Sequence, residues 1–337
     1  SINKTFNHFK VHTQYSICEG AIKIEQLKDY CKTNKIQSLG ISDTHILSGA
    51  LEFSETLSSI GTQPIIGTQI LFKYKNFTGL IPLIAKNSSG YKNIIELSSK
   101  SYLDNSEDTD PHCSFEDLLI KSSGIIVLSG SIRCLLGDLF NRGLFSEIDE
   151  IINKLSKTFK DDLYIEIQRH KDLNEKEFER FNLNISKKFN LPIVATNEVY
   201  YLDKNMFEAH DALMCIGEKA YVNDPNRLKL SDQHYFKSSE EMNELFSDLP
   251  EALENNYNLP FRCSFKPQKS KPILPSISSK DINTNELLVK DSYDGLKEKF
   301  SKSFGIDKKE LEKNNDYHLY KQRLEHEIKI INEMNYA

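Results

Sequence analysis

The sequence predicts an α/β fold built on parallel strands joined by helical crossovers, and three observations carry that prediction. Short runs rich in β-branched and aliphatic residues alternate with amphipathic segments along the chain as far as Thr196. Two of the runs, Ile125–Leu128 and Ile193–Ala195, are wholly apolar, as strands covered on both faces should be. Between them, Glu147–Phe159 spaces Ile148, Ile151, Ile152, Leu155 and Phe159 along one helical face. Periodicity alone leaves open whether the sheet is open or closed.

Taken in order, the strand candidates are His8–His12, Ser38–Ser42, Pro64–Phe72, Leu80–Ala85, Gly124–Leu128, Leu163–Gln168 and Leu191–Thr196. Each is a short run with β-branched residues, followed by polar turn residues. The helical candidates among them are Ile24–Thr33, Ala50–Ser58, Tyr91–Ser98, Phe115–Lys121, Glu147–Phe159 and Glu175–Phe189. The run GTQPIIGTQ, Gly61 to Gln69, lacks the lysine and hydroxyl of a phosphate loop, so its glycines are expected to frame a turn and a buried strand.

Beyond Thr196 the pattern changes. Met206–Ile216 reads as a helix, Gly217–Gln233 as a polar excursion, and Ser239–Phe246 and Glu251–Asn256 as short helices. The segment Lys266–Lys280, with Pro267, Pro272 and Pro275, marks the expected boundary between a first domain, 1–270, and a second unit, 271–337. In the second unit Tyr293–Lys302 and His318–Met334 are helical. Leu324, Ile328 and Ile331 form a stripe that needs a partner, as the opening element of a further domain would.

Composition narrows the function classes. The 337 residues suffice for a domain of about 250 residues and a smaller unit. A net charge of -6, from 43 basic and 49 acidic residues, argues against a broad basic grip on nucleic acid by the whole chain. No run approaches the roughly 18 apolar residues of a membrane span. Ser1–Lys10 has neither an apolar core nor a cleavage motif, so the cytoplasm is the expected compartment. Six widely spaced cysteines without a CxxC pair point to reduced thiols rather than a disulfide frame or zinc ribbon.

The chemistry-bearing residues follow strands. In a β/α barrel such positions gather at the C-terminal rim. They occur in HFKVHTQYS (His8–Ser16), GISDTH (Gly40–His45), IEIQRH (Ile165–His170) and VATNEVYY (Val194–Tyr201). His12 and Asp43 suit a divalent metal, or serve as a hydrogen-bonded strand-end histidine and a capping aspartate. Glu166 faces either a barrel mouth or water. His170, between charged neighbours, reads as a solvated loop residue, and Glu198 as a ligand, a base or a plain acceptor.

Together the segments carry a resemblance. HFKVHTQYSICEGA (8–21), SLGISDTHILSGALEF (38–53), GTQPIIGTQ (61–69), LIAKNSSGYKNIIELSS (83–99), GIIVLSGS (124–131), LYIEIQRH (163–170), LPIVATNEVYYL (191–202), EAHDALMCIG (208–217) and YKQRLEHEIKIINEMNYA (320–337) resemble, in order and spacing, a bacterial family. It is that of the DNA polymerase III alpha subunits, the C-family replicative DNA polymerases. The match is to their N-terminal region. This resemblance implies a distorted seven-stranded β/α barrel of the PHP, TIM-like kind. A helical extension then enters the polymerase core at the start of the palm.

The family's metal pattern carries over only in part. Lys10 stands where its opening HxH motif begins, and His12 where that motif ends. Asp43 is kept from TDH, with Thr44 in place of the histidine. Gln69 replaces a glutamate, Ser131 a cysteine and Lys121 a histidine, while Glu198 and Tyr200 stand at an aspartate-x-histidine pair. His45, one residue beyond Thr44, should leave in another direction. The remnants of the degraded site are then His12, Asp43 and Glu198.

The resemblance implies a parent DNA-directed DNA polymerase, a nucleotidyltransferase using Mg through palm carboxylates outside this chain. The fragment itself is expected to be a non-catalytic structural and partner-binding module with no cofactor assigned to it, Zn or Mn being the open alternative. Its implied partners are the rest of the alpha chain and a separate proofreading exonuclease, with DNA and the sliding clamp reached through other regions and no membrane. Two alternatives remain open: a weak metal-dependent 3′–5′ exonuclease or phosphoesterase, and a free-standing PHP enzyme.

Overall fold

The computed structural model describes residues 4–13, 22–44, 49–103, 112–207, 231–263 and 307–314, and the single positions 294, 297, 301, 317, 318 and 321. The strands are β1 (Lys10–Val11), β2 (Ser38–Thr44), β3 (Gln63–Tyr74), β4 (Phe77–Ala85), β5 (Cys113–Ser114), β6 (Ile125–Leu128), β7 (Leu163–Ile167), β8 (Ile193–Ala195) and β9 (Glu198–Val199). The helices are α1 (Ile24–Asn34), α2 (Ala50–Ser58), α3 (Ser88–Leu103), α4 (Phe115–Ile120), α5 (Leu135–Asn141), α6 (Phe145–Phe159), α7 (Glu175–Phe189), α8 (Ser239–Leu245) and α9 (Pro250–Asn258). Every strand and helix expected before Thr196 is present, most of them with shifted ends. The boundary at Lys266–Lys280 lies outside the described residues, as do nearly all of Met206–Ile216, Tyr293–Lys302 and His318–Met334.

The sheet order is β8-β7-β6-β4-β3-β2-β1-β9, with β5 pairing β3. β8 and β9 sit at the two ends of that order, yet only Thr196 and Asn197 separate them in the chain. One segment, Ile193–Val199, therefore pairs β7 on one side and β1 on the other and curls the sheet upon itself. Taking that segment as one bent strand and setting aside β5 gives the seven-stranded distorted barrel of the expected α/β class.

One expectation needs correction: the sheet is mixed. β4 runs antiparallel to both β3 and β6. No helix separates β3 from β4, only the tight turn at Lys75 and Asn76, with Lys75 left-handed (φ 53). A turn that short can join only antiparallel strands.

Two apolar layers result. The larger packs the outer helices on the sheet and includes the stripe Ile148, Ile151, Ile152, Leu155 and Phe159 of α6. The smaller gathers Phe9, Ile65, Ile84, Ile126, Leu128, Tyr164 and Val194 from around the sheet and meets Leu259 and Cys263. Gly40 of β2 permits the close approach there, since a Cβ would lie 2.6 Å from the Phe9 backbone.

The N-terminal ends of the parallel strands form a floor under α9. Asn256, fully buried, donates to the carbonyls of Asn7 and Ala195 (2.9 Å each) and accepts from the Asn7 amide (2.9 Å). Ser38 donates to the Asn7 side chain, and Gln63 to the carbonyls of Pro260 (3.0 Å) and Cys263 (2.6 Å). Arg169 holds α8 and its following turn. It is bidentate to Glu179 and to Asp248, and its guanidinium lies 4.9 Å from the Phe246 ring centre.

Among the described residues no helix is long and apolar enough to cross a membrane. Cys31, Cys134 and Cys263 are free and buried, and the buried Cys113 donates to the Leu97 carbonyl (2.9 Å). Cys18 and Cys215 lie outside the described residues.

Candidate functional site

Strand alternation builds the opposite end. Glu166 lies two residues beyond Tyr164 on β7, and Glu198 follows Val194 and Thr196 at the same spacing, so both carboxylates continue the inward-facing rows. Into them β1 delivers Lys10, whose side chain is 1% exposed. Its Nζ donates to Glu166 Oε1 at 3.2 Å and lies 3.8 Å from Glu198 Oε1.

Further side chains contact the two carboxylates, while the buried Gln168 Oε1 has no hydrogen-bond partner. Gln69 Nε2 donates to Glu198 Oε1 at 2.9 Å, and His12 Nε2 lies 3.4 Å from the same oxygen. Gln168 (3.2 Å) and the Thr196 hydroxyl both donate to Glu166 Oε2. Cys134 Sγ lies 3.5 Å from Gln69 Oε1, and Ser131 Oγ 3.6 Å from that sulfur. The His12 ring stacks on Tyr200, centroids 4.1 Å apart.

The electrostatics follow from that geometry. Burial disfavours the charged lysine, but the Glu166 and Glu198 carboxylates outweigh it and hold Lys10 above the ordinary lysine range. Glu198 shows the converse. Burial would raise it, while Lys10 and then His12 hold it well below the usual carboxylate range. Burial pushes the Cys134 thiol up to about 11 despite Lys10 nearby.

Of the three residues expected as metal remnants, His12 and Glu198 come together at this network. Asp43 is turned to Thr13, whose backbone N–H meets Oδ1 and whose hydroxyl meets Oδ2, both at 2.7 Å. Gln69, Ser131 and Tyr200, the substituted positions, all border the same network. Lys121 pairs instead with Glu96 on the outer helices, so its substitution belongs elsewhere. His45 lies outside the described residues.

This donor set does not fit a cluster of divalent metals. An ammonium already sits between the two buried carboxylates that would face the ions. The positive charge such a pocket requires is supplied by the chain itself.

A second group, His170, Asp172 and His234, brings one ligand-type atom from each within 4.8 Å of the others. His170 is 1% exposed, which corrects the solvated reading. Its Nε2 accepts the Glu198 backbone N–H (3.1 Å), and His234 Nδ1 accepts that of Ser231 (3.1 Å). The second ring nitrogens are His170 Nδ1, 3.8 Å from Glu175 Oε2, and His234 Nε2, which is buried without a hydrogen-bond partner, so this group keeps ligand-type atoms available. The two imidazoles stack at 4.1 Å, and Asp172 pairs with Arg133 at 2.9 Å.

Sequence reasoning missed Glu166 as the main partner of Lys10, and it missed His234 altogether. The signal for Glu166 was a lone carboxylate between Ile165 and Ile167 in an otherwise buried strand. His234 offered none, because its position comes from a parallel bridge, Tyr201 to Tyr235, across a polar stretch.

Residues 8–170, which carry most of the barrel, match the PHP domain. Along 98% of its length the chain is 35% identical to DNA polymerase III subunit alpha of Rickettsia bellii, over 337 residues. It is likewise 35% identical to that of Caulobacter vibrioides, over 341 residues. The chain spans 28% and 29% of those two curated relatives. An amidohydrolase from Chromobacterium violaceum aligns over 61% of this chain and 96% of its own, with TM-score 0.38 and 10% identity. Residues 8–170 of this chain are thus similar to the PHP domain, and the chain as a whole resembles part of the DNA polymerase III alpha subunits.

Proposed function

We propose that this chain is a non-catalytic structural and partner-binding module of a DNA polymerase III alpha subunit, the polymerase of chromosomal replication in the bacterial cytoplasm. One observation carries the reading: the buried Lys10 ammonium paired with Glu166 and Glu198 where metal chemistry would need open ligands. A metal-dependent phosphoesterase anchors ions to activate water. Here Lys10 neutralises the carboxylates, leaving His12, Asp43 and Glu198 as the remnants of that arrangement.

In this reading residues 1–270 form the PHP domain and 271–337 lead toward the palm. The Mg-dependent nucleotidyl transfer belongs to parts of the alpha subunit outside this chain, as do its contacts with DNA and the sliding clamp. The module's own partners are the rest of that polypeptide and, as a second contact, a separate proofreading exonuclease.

The test is hydrolysis of single-stranded DNA 3′ ends and of a phosphate monoester with Mn²⁺ or Zn²⁺. The expected result is no metal-stimulated turnover. Turnover abolished by both His12→Ala and Asp43→Asn would establish the competing reading, a weak exonuclease or phosphoesterase, which the closeness of His12 and Glu198 favours.

A further inference from the structure

The loop between β7 and α7 presents an aliphatic side chain to solvent in a way that its own fold does not use. Leu173 is 86% exposed. A lone exposed leucine on a slack loop is ordinary, but this loop is fastened on every side. Asp172 is held by Arg133 (2.9 Å), and Asn174 donates to Asn141 at the end of α5 (3.3 Å). Glu175 accepts the backbone N–H groups of His170 (2.8 Å) and Lys171 (3.0 Å).

Two residues without the freedom of glycine, Lys171 (φ 59) and Asn174 (φ 64), take the left-handed conformation on either side of Leu173. Such backbone is unfavourable for side-chain-bearing residues and persists only where surrounding contacts impose it. Phe145 is also exposed, at 48%, and joins Phe140 at the same end of α5. A rigid apolar tip is what an interface anchor needs, because little conformational freedom is left to lose on docking.

We infer that Leu173 is a docking anchor for an apolar socket on the part of the alpha polypeptide outside residues 1–337. The occupant follows from chain length: relatives such as that of Rickettsia bellii are spanned by this chain over only 28% of their length. Leu173 stands at the C-terminal rim, where β6 and β7 end, so the docked segment would lie at that end of the barrel. This inference rests on the reading of the chain as a module of such a polypeptide.

The experiment uses the full-length alpha subunit carrying Leu173→Cys or, as reference, Lys187→Cys on the exposed face of α7, labelled with a maleimide and read by peptide mass spectrometry. Cysteine at 173 should label about ten-fold or more slowly than at 187. Equal rates would overturn the inference. Slow labelling only when a separate exonuclease is added would overturn this occupant in favour of that subunit. Hydroxyl-radical footprinting of Leu173 in the unsubstituted chain guards against a cysteine that loosens the dock. Protection supports the anchor, and oxidation at the rate of an exposed leucine contradicts it. Metal-dependent hydrolysis at the rim would sink the functional reading without altering either readout, so the two failures are separable.

Discussion

At the floor of the barrel, Asn7, Ser38 and Asn256 close the interior with two amides and a hydroxyl; at the rim, Lys10, Glu166 and Glu198 close it with charges. Both ends are buried and hydrogen-bonded. They differ in what each group requires of its neighbours. A neutral amide that loses a partner leaves one unsatisfied atom, whereas a buried charge that loses its counter-charge leaves an ion in a medium that cannot solvate it. The floor should thus behave as a set of local bonds and the rim as a single interdependent unit.

The largest expected effect is at the rim. Lys10→Met removes the ammonium that, among the described residues, lies within 4.0 Å of both Glu166 and Glu198, and should cost about 3–5 kcal/mol in urea unfolding at neutral pH. Adding Glu198→Gln should return part of that loss. A cost under about 1 kcal/mol, with no recovery in the double variant, would break the distinction between the two ends.

Acid separates the regions next. Burial, with the Lys237 carbonyl opposing, holds His8 at about 4, below its unfolded value of about 6.5. The unfolded chain therefore binds more protons than the folded one between those values, and stability falls as pH drops through that window, by about 3 kcal/mol from His8 alone. Burial and the adjacent His170 depress His234 in the same direction. Lys10 has the opposite sign. Raised above its ordinary value, it contributes fully at neutral pH and loses that contribution only in strong alkali. His8→Gln keeps a donor toward the Lys237 carbonyl (2.8 Å) and should flatten the acid limb. An unchanged limb would remove His8 from the account.

The smallest effect belongs to the floor. Asn256→Ala deletes bonds to Asn7 and Ala195 and should cost about 1–3 kcal/mol, by the same amount at pH 5 and pH 8. A loss that grows toward acid would show that the floor is coupled to the titrating groups above it.

Most of the barrel was legible in the sequence because its strands are short apolar runs and its helices carry clean stripes. Ala50–Ser58 and Glu175–Phe189 fall at the very ends expected. The antiparallel β4 was legible only indirectly, through the missing crossover between Phe72 and Leu80, because strand direction leaves no mark on residue pattern. Helix α5 was overlooked because Leu135–Asn141 is too short to show a period. At the site, Lys10 was readable as a charge opposed to metal. Its pairing with Glu166 was not, since 156 positions separate them and only the curled sheet brings them together.

The central claim is that Lys10 supplies the positive charge that ions would otherwise bring to this pocket. Equilibrium dialysis of the chain against Mn²⁺ and against Zn²⁺ at neutral pH, followed by elemental analysis, tests it most directly. The account predicts no stoichiometric ion at the rim. One or more ions retained per chain and released by His12→Ala would contradict it.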